Sequence, residues 1–156
     1  IPFMFFGHHL DDHAETVLHR LTRSSGIDGF GSLGPVMRSS DRATTLIRPL
    51  LSFPKERLIT TCEHVNYSFV VDPSNSSLNT FRGKARKFIT NWENEDGKMS
   101  GTRSLVSLSL VCRRLSSEIE LKASEFLRNC AYVNLKYGFI TVDLAELERC
   151  SKSVVL

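Results

Sequence analysis

The stretch Gly7-His8-His9-Leu10-Asp11-Asp12-His13-Ala14-Glu15-Thr16 gathers three histidines and three carboxylates within ten residues. Side chains of these types can ligate a metal, polarise an oxygen or move a proton. The apolar run from Ile1 to Phe6 reads as a buried strand. After the cluster, Ala14, Val17, Leu18 and Leu21 recur at helical spacing, which predicts a helix from about Asp12 to Arg23. The cluster therefore falls where a strand turns into a helix. Ligands of open α/β sheets bind at the carboxyl ends of strands, and a helix N-terminus favours anions.

Two plainer chemistries compete for these residues. Asp12 reads as an N-cap with Glu15 as its reciprocal partner, and His8 and His9 as polar residues closing a strand. His8, Asp12 and His13 also approach the H-x-H-x-D-H zinc string of metallo-β-lactamase-like hydrolases. Leu10 stands where that string needs its second histidine, and only His19 and His64 remain downstream to complete a site. A metal site needs its full ligand count and geometry, so the metallo-hydrolase reading is the weaker one.

The elements around the cluster follow from local pattern. Ser24 to Gly26 and Gly29 to Pro35 read as a glycine-rich loop, and Thr44 to Arg48 as a short strand stopped by Pro49. Lys55 to Glu63 reads as a helix entered through Pro54, and Ser68 to Val71 as another strand. Asp72 to Ser77 is rich in turn formers. A basic helix is expected from about Thr80 to Trp92, carrying Arg82, Lys84, Arg86 and Lys87. Residues 94–102 are polar and read as a linker. Beyond it, Leu108, Val111, Leu115, Ile119, Ala123, Phe126 and Cys130 predict a long amphipathic helix. A hairpin around Tyr137-Gly138 and a short helix from about Leu144 to Cys150 follow.

Composition sets limits without choosing a function. A chain of 156 residues, 41% of them hydrophobic, can bury one ordinary core and a small appendage. The formal charge of +3 is a mild lean toward polyanions. Cys62, Cys112, Cys130 and Cys150 are widely spaced with no C-x-x-C pair, which predicts reduced, mostly buried thiols. No apolar run approaches the roughly 20 residues of a membrane span, so no membrane partner is expected. The chain opens without methionine inside an apparent core strand, which predicts a fragment of a longer protein.

Taken together, the motifs resemble one family. Gly7 to Thr16 resembles the G-H-H-x-D-D-Q-x-E-T motif of tRNA(Ile)-lysidine synthases, members of the PP-loop ATP pyrophosphatase superfamily. Arg23-Ser24-Ser25-Gly26 with Gly29-Phe30 resembles the family's R-G-S-G…G-L loop. Arg48-Pro49-Leu50-Leu51 matches R-P-L-L, Asp72 to Asn75 matches D-x-S-N, and Arg82 and Arg86 match R-N-x-x-R. Three positions depart: His13 stands for glutamine, Ser24 for glycine and Gly83 for asparagine. The S-G-G-x-D-S loop that grips ATP phosphates in the family is not among these residues, and Ser24 to Gly29 is a poor substitute that follows a helix. The resemblance therefore implies an incomplete nucleotide site that would leave this stretch inactive alone.

The resemblance implies an α/β fold: the later part of a parallel-sheet PP-loop domain over residues 1–93, a linker at 94–102, and a small α+β region over 103–156. It implies an ATP-dependent ligase that joins lysine to C2 of the wobble cytidine of an isoleucine tRNA through an adenylated intermediate. Its partners would be ATP, magnesium, free lysine and tRNA, in the cytoplasm or in a mitochondrion or plastid. The implied catalytic residues are His9, Asp12 and Arg48. His8, Asp12, Arg82 and Arg86 would bind nucleotide, with Asp12 the candidate magnesium ligand. Arg48, Asp72, Asn75, Arg82, Lys84 and Arg86 would bind tRNA or lysine. Arg48 alone also reads as a strand-end charge snorkelling to solvent, and the basic helix as a solvated face. The alternatives are a tRNA thiolation enzyme of the same superfamily and an inactive RNA-binding fragment.

Overall fold

The apolar run that leads into the histidine cluster does form a strand, and its pairing sets the rest of the architecture. The computed structural model describes residues 2–39, 43–72, 80–96 and 100–143. In chain order the elements are β1 (Phe3–Phe5), α1 (Leu10–Leu21), α2 (Ile27–Gly31), β2 (Val36–Arg38), β3 (Thr45–Ile47), α3 (Lys55–His64), α4 (Phe81–Asp96), α5 (Ser100–Cys130), β4 (Ala131–Asn134) and β5 (Phe139–Val142). The fold is mixed α/β. One sheet has the order β1-β3-β2, with β1 parallel to β3 and β2 antiparallel to it. The ladder runs on at both ends: Thr45 N–H donates to Pro2 O at 2.9 Å and Phe6 N–H to Ile47 O at 2.8 Å.

Several local expectations are corrected. Phe3 and Phe5 of β1 are 55% and 69% exposed instead of buried; among the described residues β1 pairs with β3 alone. The glycine-rich loop contains a short helix, α2, and β2 follows it as an unforeseen antiparallel partner of β3. Ser68 to Val71 forms no strand; it is exposed chain with no described strand to pair with. Its β-branched and aromatic residues carry strand propensity, but a strand needs a ladder.

The core is helical. Ala14 and Val17 of α1, Ile89 of α4 and Leu105 of α5 are buried together, with Leu18, Phe30, Trp92 and Val106 packed around them. Leu21, expected on this face, is 42% exposed at the end of α1. Burying each large apolar side chain contributes about 1.5–3 kcal/mol relative to exposure.

On α5 the helical period is as expected but the face is rotated. Leu108, Val111 and Leu115 are 39%, 54% and 43% exposed, while Thr102, Leu105, Ser109 and Cys112 point inward. Close helix approach explains the choice. A Cβ on Gly31 of α2 would lie 2.7 Å from the Arg113 Cα of α5, so at this crossing α2 admits only glycine.

The polar segment 94–102 is largely helical: α4 continues to Asp96 and α5 begins at Ser100. Glu93 Oε1 accepts hydrogen bonds from the Thr102 hydroxyl at 2.7 Å and the Thr102 N–H at 3.2 Å, tying the two helices across the junction. The hairpin β4–β5 forms as expected, with Gly138 at φ +69° in its turn. Cys62, Cys112 and Cys130 are free thiols. Residues 73–77 of the turn-rich loop, the expected helix at 144–150, and Cys150 lie outside the described residues.

Candidate active site

The helix that carries the motif starts earlier than its sequence suggests. His9, with extended backbone, is the N-cap of α1, and Asp12 occupies N3. The Asp12 carboxylate reaches back to accept the His9 N–H at 3.0 Å. Asp12 is thus the reciprocal half of a capping arrangement rather than its N-cap. Glu15, expected as that partner, turns elsewhere: its buried carboxylate takes Arg86 Nη2 at 2.7 Å and Arg86 Nε at 2.9 Å.

The His9 ring is held between two acids. Its Nδ1 lies 3.3 Å from Asp11 Oδ2 and its Nε2 3.3 Å from Asp12 Oδ2. Asp11 also accepts the Lys55 N–H at 2.9 Å, so it closes the first turn of α3 from a distance. Burial raises the Asp11 pKa, but the contacts with His9 and the Lys55 N–H outweigh it, and the net direction is down.

His8 and Arg48 meet at the end of the parallel strand pair. Arg48 Nε donates to His8 Nδ1 at 3.2 Å, and Arg48 Nη1 donates to Gly34 O at 3.1 Å. The guanidinium sits 5.3 Å above the Phe6 ring, which stacks on His8 at 5.4 Å and 8°. Arg48 is 8% exposed, so it does not snorkel. Because an arginine only donates, His8 Nδ1 is the acceptor and the neutral ring carries its proton on Nε2. Burial is the largest influence on His8 and lowers its pKa; Asp12 opposes, and Arg48, Arg82 and His9 push it down further. Burial first, then Arg113, also lowers the Arg48 pKa.

The other expected residues are spread along α4 and beyond. Arg82 is exposed, near enough to His8 to lower its pKa, and it lines a cavity of about 190 Å³ with Glu15, Thr16, His19 and Phe81. Arg86 faces α1 through Glu15, and Lys84 is exposed on another face. Asp72 is exposed at the end of a described segment, and Asn75 lies outside the described residues. The geometry thus brings His8, His9, Asp12 and Arg48 together with Arg82 at the edge. Glu15, Gly34 and Phe6 were not foreseen in these contacts. Glu15 was marked by its motif position, whereas the Gly34 carbonyl left no signal in residue type.

His13 departs from the family motif and also from the site. Its Nε2 lies 2.8 Å from Ser109 Oγ, and that hydroxyl donates to Phe30 O at 2.7 Å. The ring therefore joins α1, α5 and the end of α2 inside the core, 3% exposed. Burial, aided by Arg113, Arg20 and Arg48, lowers its pKa to about 4. This orientation takes His13 out of the zinc string proposed with His8 and Asp12. Among the described residues no group of three or more His, Cys, Asp or Glu could hold a metal.

A single carboxylate is still compatible with magnesium, which is commonly held by one or two carboxylates plus substrate phosphates and water. Asp12, at the start of α1 and, like Arg48 and Arg82, near enough to His8 to shift its pKa, has the donor chemistry for that. The set as a whole offers cationic and N–H donors around one carboxylate, suited to a phosphate or a developing oxyanion.

The chain is similar to the tRNA(Ile)-lysidine synthase of Methylobacterium nodulans, 34% identical over 96% of this chain and 42% of the relative. It is also similar to that of the Wolbachia of Brugia malayi, 30% identical over 100% of this chain and 35% of the relative. The chain thus spans less than half the length of these curated relatives. A solved structure, the U34-tRNA thiolase of Methanococcus maripaludis, shares the fold with a TM-score of 0.52 and 23% identity, covering 72% of this chain and 36% of that one. The PP-loop domain family matches residues 1–93, which include every residue of the His8–Arg48 cluster, and to that family the chain belongs.

Proposed function

We propose that this chain is part of a tRNA(Ile)-lysidine synthase, an ATP-dependent ligase that modifies the wobble cytidine of an isoleucine tRNA. The C2 oxygen of the base attacks the α-phosphorus of ATP and pyrophosphate leaves. The amine of free lysine then attacks C2, and AMP leaves with the oxygen. The observation that carries this reading is the buried Arg48, held by His8, Gly34 and Phe6 where the parallel strands β1 and β3 end. It is supported by the PP-loop match and by the named relatives.

In this reading Arg48 stabilises charge on the activated base or phosphate, which a planar guanidinium suits. His9 polarises the reacting oxygen. Asp12 orients the nucleotide and would hold Mg²⁺, which when bound neutralises phosphate charge. His8 presents Nε2–H to the nucleotide, joined by Arg82. Arg86 contributes by fixing α4 to α1 through Glu15 and binds nucleotide or tRNA phosphate. Asp72 and Asn75 bind the lysine ammonium or tRNA, and Lys84 a tRNA phosphate. The compartment is the cytoplasm, or a mitochondrion or plastid in a eukaryotic source.

The test is a protein that contains this chain together with the phosphate-gripping loop, incubated with isoleucine tRNA, ATP and lysine. Mass analysis of the nucleosides reads the product. Lysidine that depends on both ATP and lysine, and falls with Asp12→Asn, is the expected result. Adenylation undiminished in Asp12→Asn would remove Asp12 from the mechanism, and absence of lysidine in the parent protein would overturn the reading.

A further inference from the structure

Helix α4 has three faces, and the site uses only two of them. Ala85 and Ile89 turn into the core, and Arg82 and Arg86 face the α1 side. The third face is Lys84, Lys87, Phe88 and Asn91, at i, i+3, i+4 and i+7, all exposed. Together they line an open cleft of about 420 Å³. Phe88 is 55% exposed, and Trp92, one turn further along α4, meets its ring edge-on at 6.3 Å.

We infer that this face is a stacking platform for single-stranded RNA. The inference rests on the proposal that the chain acts on tRNA. Unpaired bases are recognised by stacking on exposed aromatic rings, with cations neutralising the flanking phosphates. Phe88 supplies the ring, with Trp92 against it edge-on. Lys84 and Lys87 flank it, separated by about 4.5 Å along the axis from a rise of 1.5 Å per residue. Asn91 adds an amide able to donate to and accept from a base edge.

Charge selects RNA over a protein partner. Between Phe81 and Trp92 α4 carries four cations and no carboxylate; Glu93 is engaged by Thr102, and the exposed Glu95 closes the face in the last turn of the helix.

Fluorescence anisotropy of the full chain with a labelled single-stranded oligoribonucleotide, and with a duplex of equal length, tests this over a range of salt. Phe88→Ala should weaken single-strand binding about 5- to 150-fold, the range of one lost stacking contact. The double substitution Lys84→Gln and Lys87→Gln should flatten the salt slope by about 1.4, or 0.7 for each phosphate contact. Phe88→Trp should restore affinity, and its added fluorescence should be quenched by RNA. Unchanged binding and slope in the alanine and double-glutamine variants, or equal Phe88-independent binding of duplex, would overturn the inference. Phe88-dependent binding in a protein that forms no lysidine would sink the proposed function and leave the platform standing. Lysidine formation with Phe88-independent binding would do the reverse.

Discussion

Arg48 Nε donates to His8 Nδ1 across 3.2 Å, which fixes both the aim of the guanidinium and the tautomer of the imidazole. Protonating Nδ1 would place two donors face to face. Arg48→Lys keeps a charge but cannot reach Gly34 O and His8 Nδ1 together. Loss of a charged hydrogen bond costs about 1.5–3 kcal/mol, so adenylation by Arg48→Lys should fall about 10- to 150-fold. Parent-like rates would show that the pair only holds the strand end.

His13 makes stability depend on pH. Its folded pKa, about 4, lies below the ordinary histidine value of 6.5. The unfolded chain therefore binds the proton first. The stabilisation is complete above about pH 6.5 and is lost as pH falls through the folded value, by about 3 kcal/mol in all. His13→Gln should flatten denaturant stability between pH 6.5 and 4, and an equally steep decline in that variant would remove His13 as the cause.

Asp11 behaves in the same sense at lower pH. Its folded pKa is below the ordinary 3.8, so the contribution is present above that value and fades as pH falls through the folded one. Asp11→Ala also strips a partner from the first turn of α3, a loss of about 0.5–2 kcal/mol for a cap. Hydrogen exchange at Lys55 should accelerate in that variant; unchanged protection there would contradict the tertiary cap.

Arg86 and Arg82 should separate in experiment. Arg86→Ala strands the Glu15 carboxylate, 4% exposed, and should lower the melting temperature. With the arginine side chain 36% exposed, water offsets part of the effect, leaving about 1–2 kcal/mol. Arg82→Ala should leave melting alone and weaken tRNA binding with a shallower salt slope. Equal melting in both variants would contradict the division.

Ser24 sits at φ +51°, in the turn that ends α1, where Ser25 N–H returns to Arg20 O at 3.2 Å. This is the left-handed position that glycine fills without penalty. Ser24→Gly should stabilise the protein by about 1 kcal/mol, read as a higher denaturation midpoint, and a lower midpoint would show that the hydroxyl matters more than the backbone.

What the sequence disclosed was local. Six apolar residues beside a helical period announced the strand–helix junction, and Tyr137-Gly138 between alternating residues announced a hairpin. The first residue of α1 was misjudged because an aspartate looks like an N-cap whether it sits at N-cap or N3. The face of α5 differs because Ser109 turns inward to bond His13 and Phe30 O, a requirement set by α1 and α2 and invisible in α5 alone. Ser68 to Val71 looked like a strand because propensity reports side chains and says nothing about a partner. Glu15–Arg86 and His13–Ser109 are separated by 71 and 96 residues, beyond any local pattern.

Leu105 and Ser109 lie outside the PP-loop match, yet they complete the packing of Ala14 and Val17 and the bonding of His13. The evolutionary unit and the cooperative unit therefore end at different places. A truncation after residue 93 would uncover the apolar face of α1 and orphan a buried imidazole. The shortest version of this protein able to hold His8, His9 and His13 in place is set by α5, a helix outside the family match.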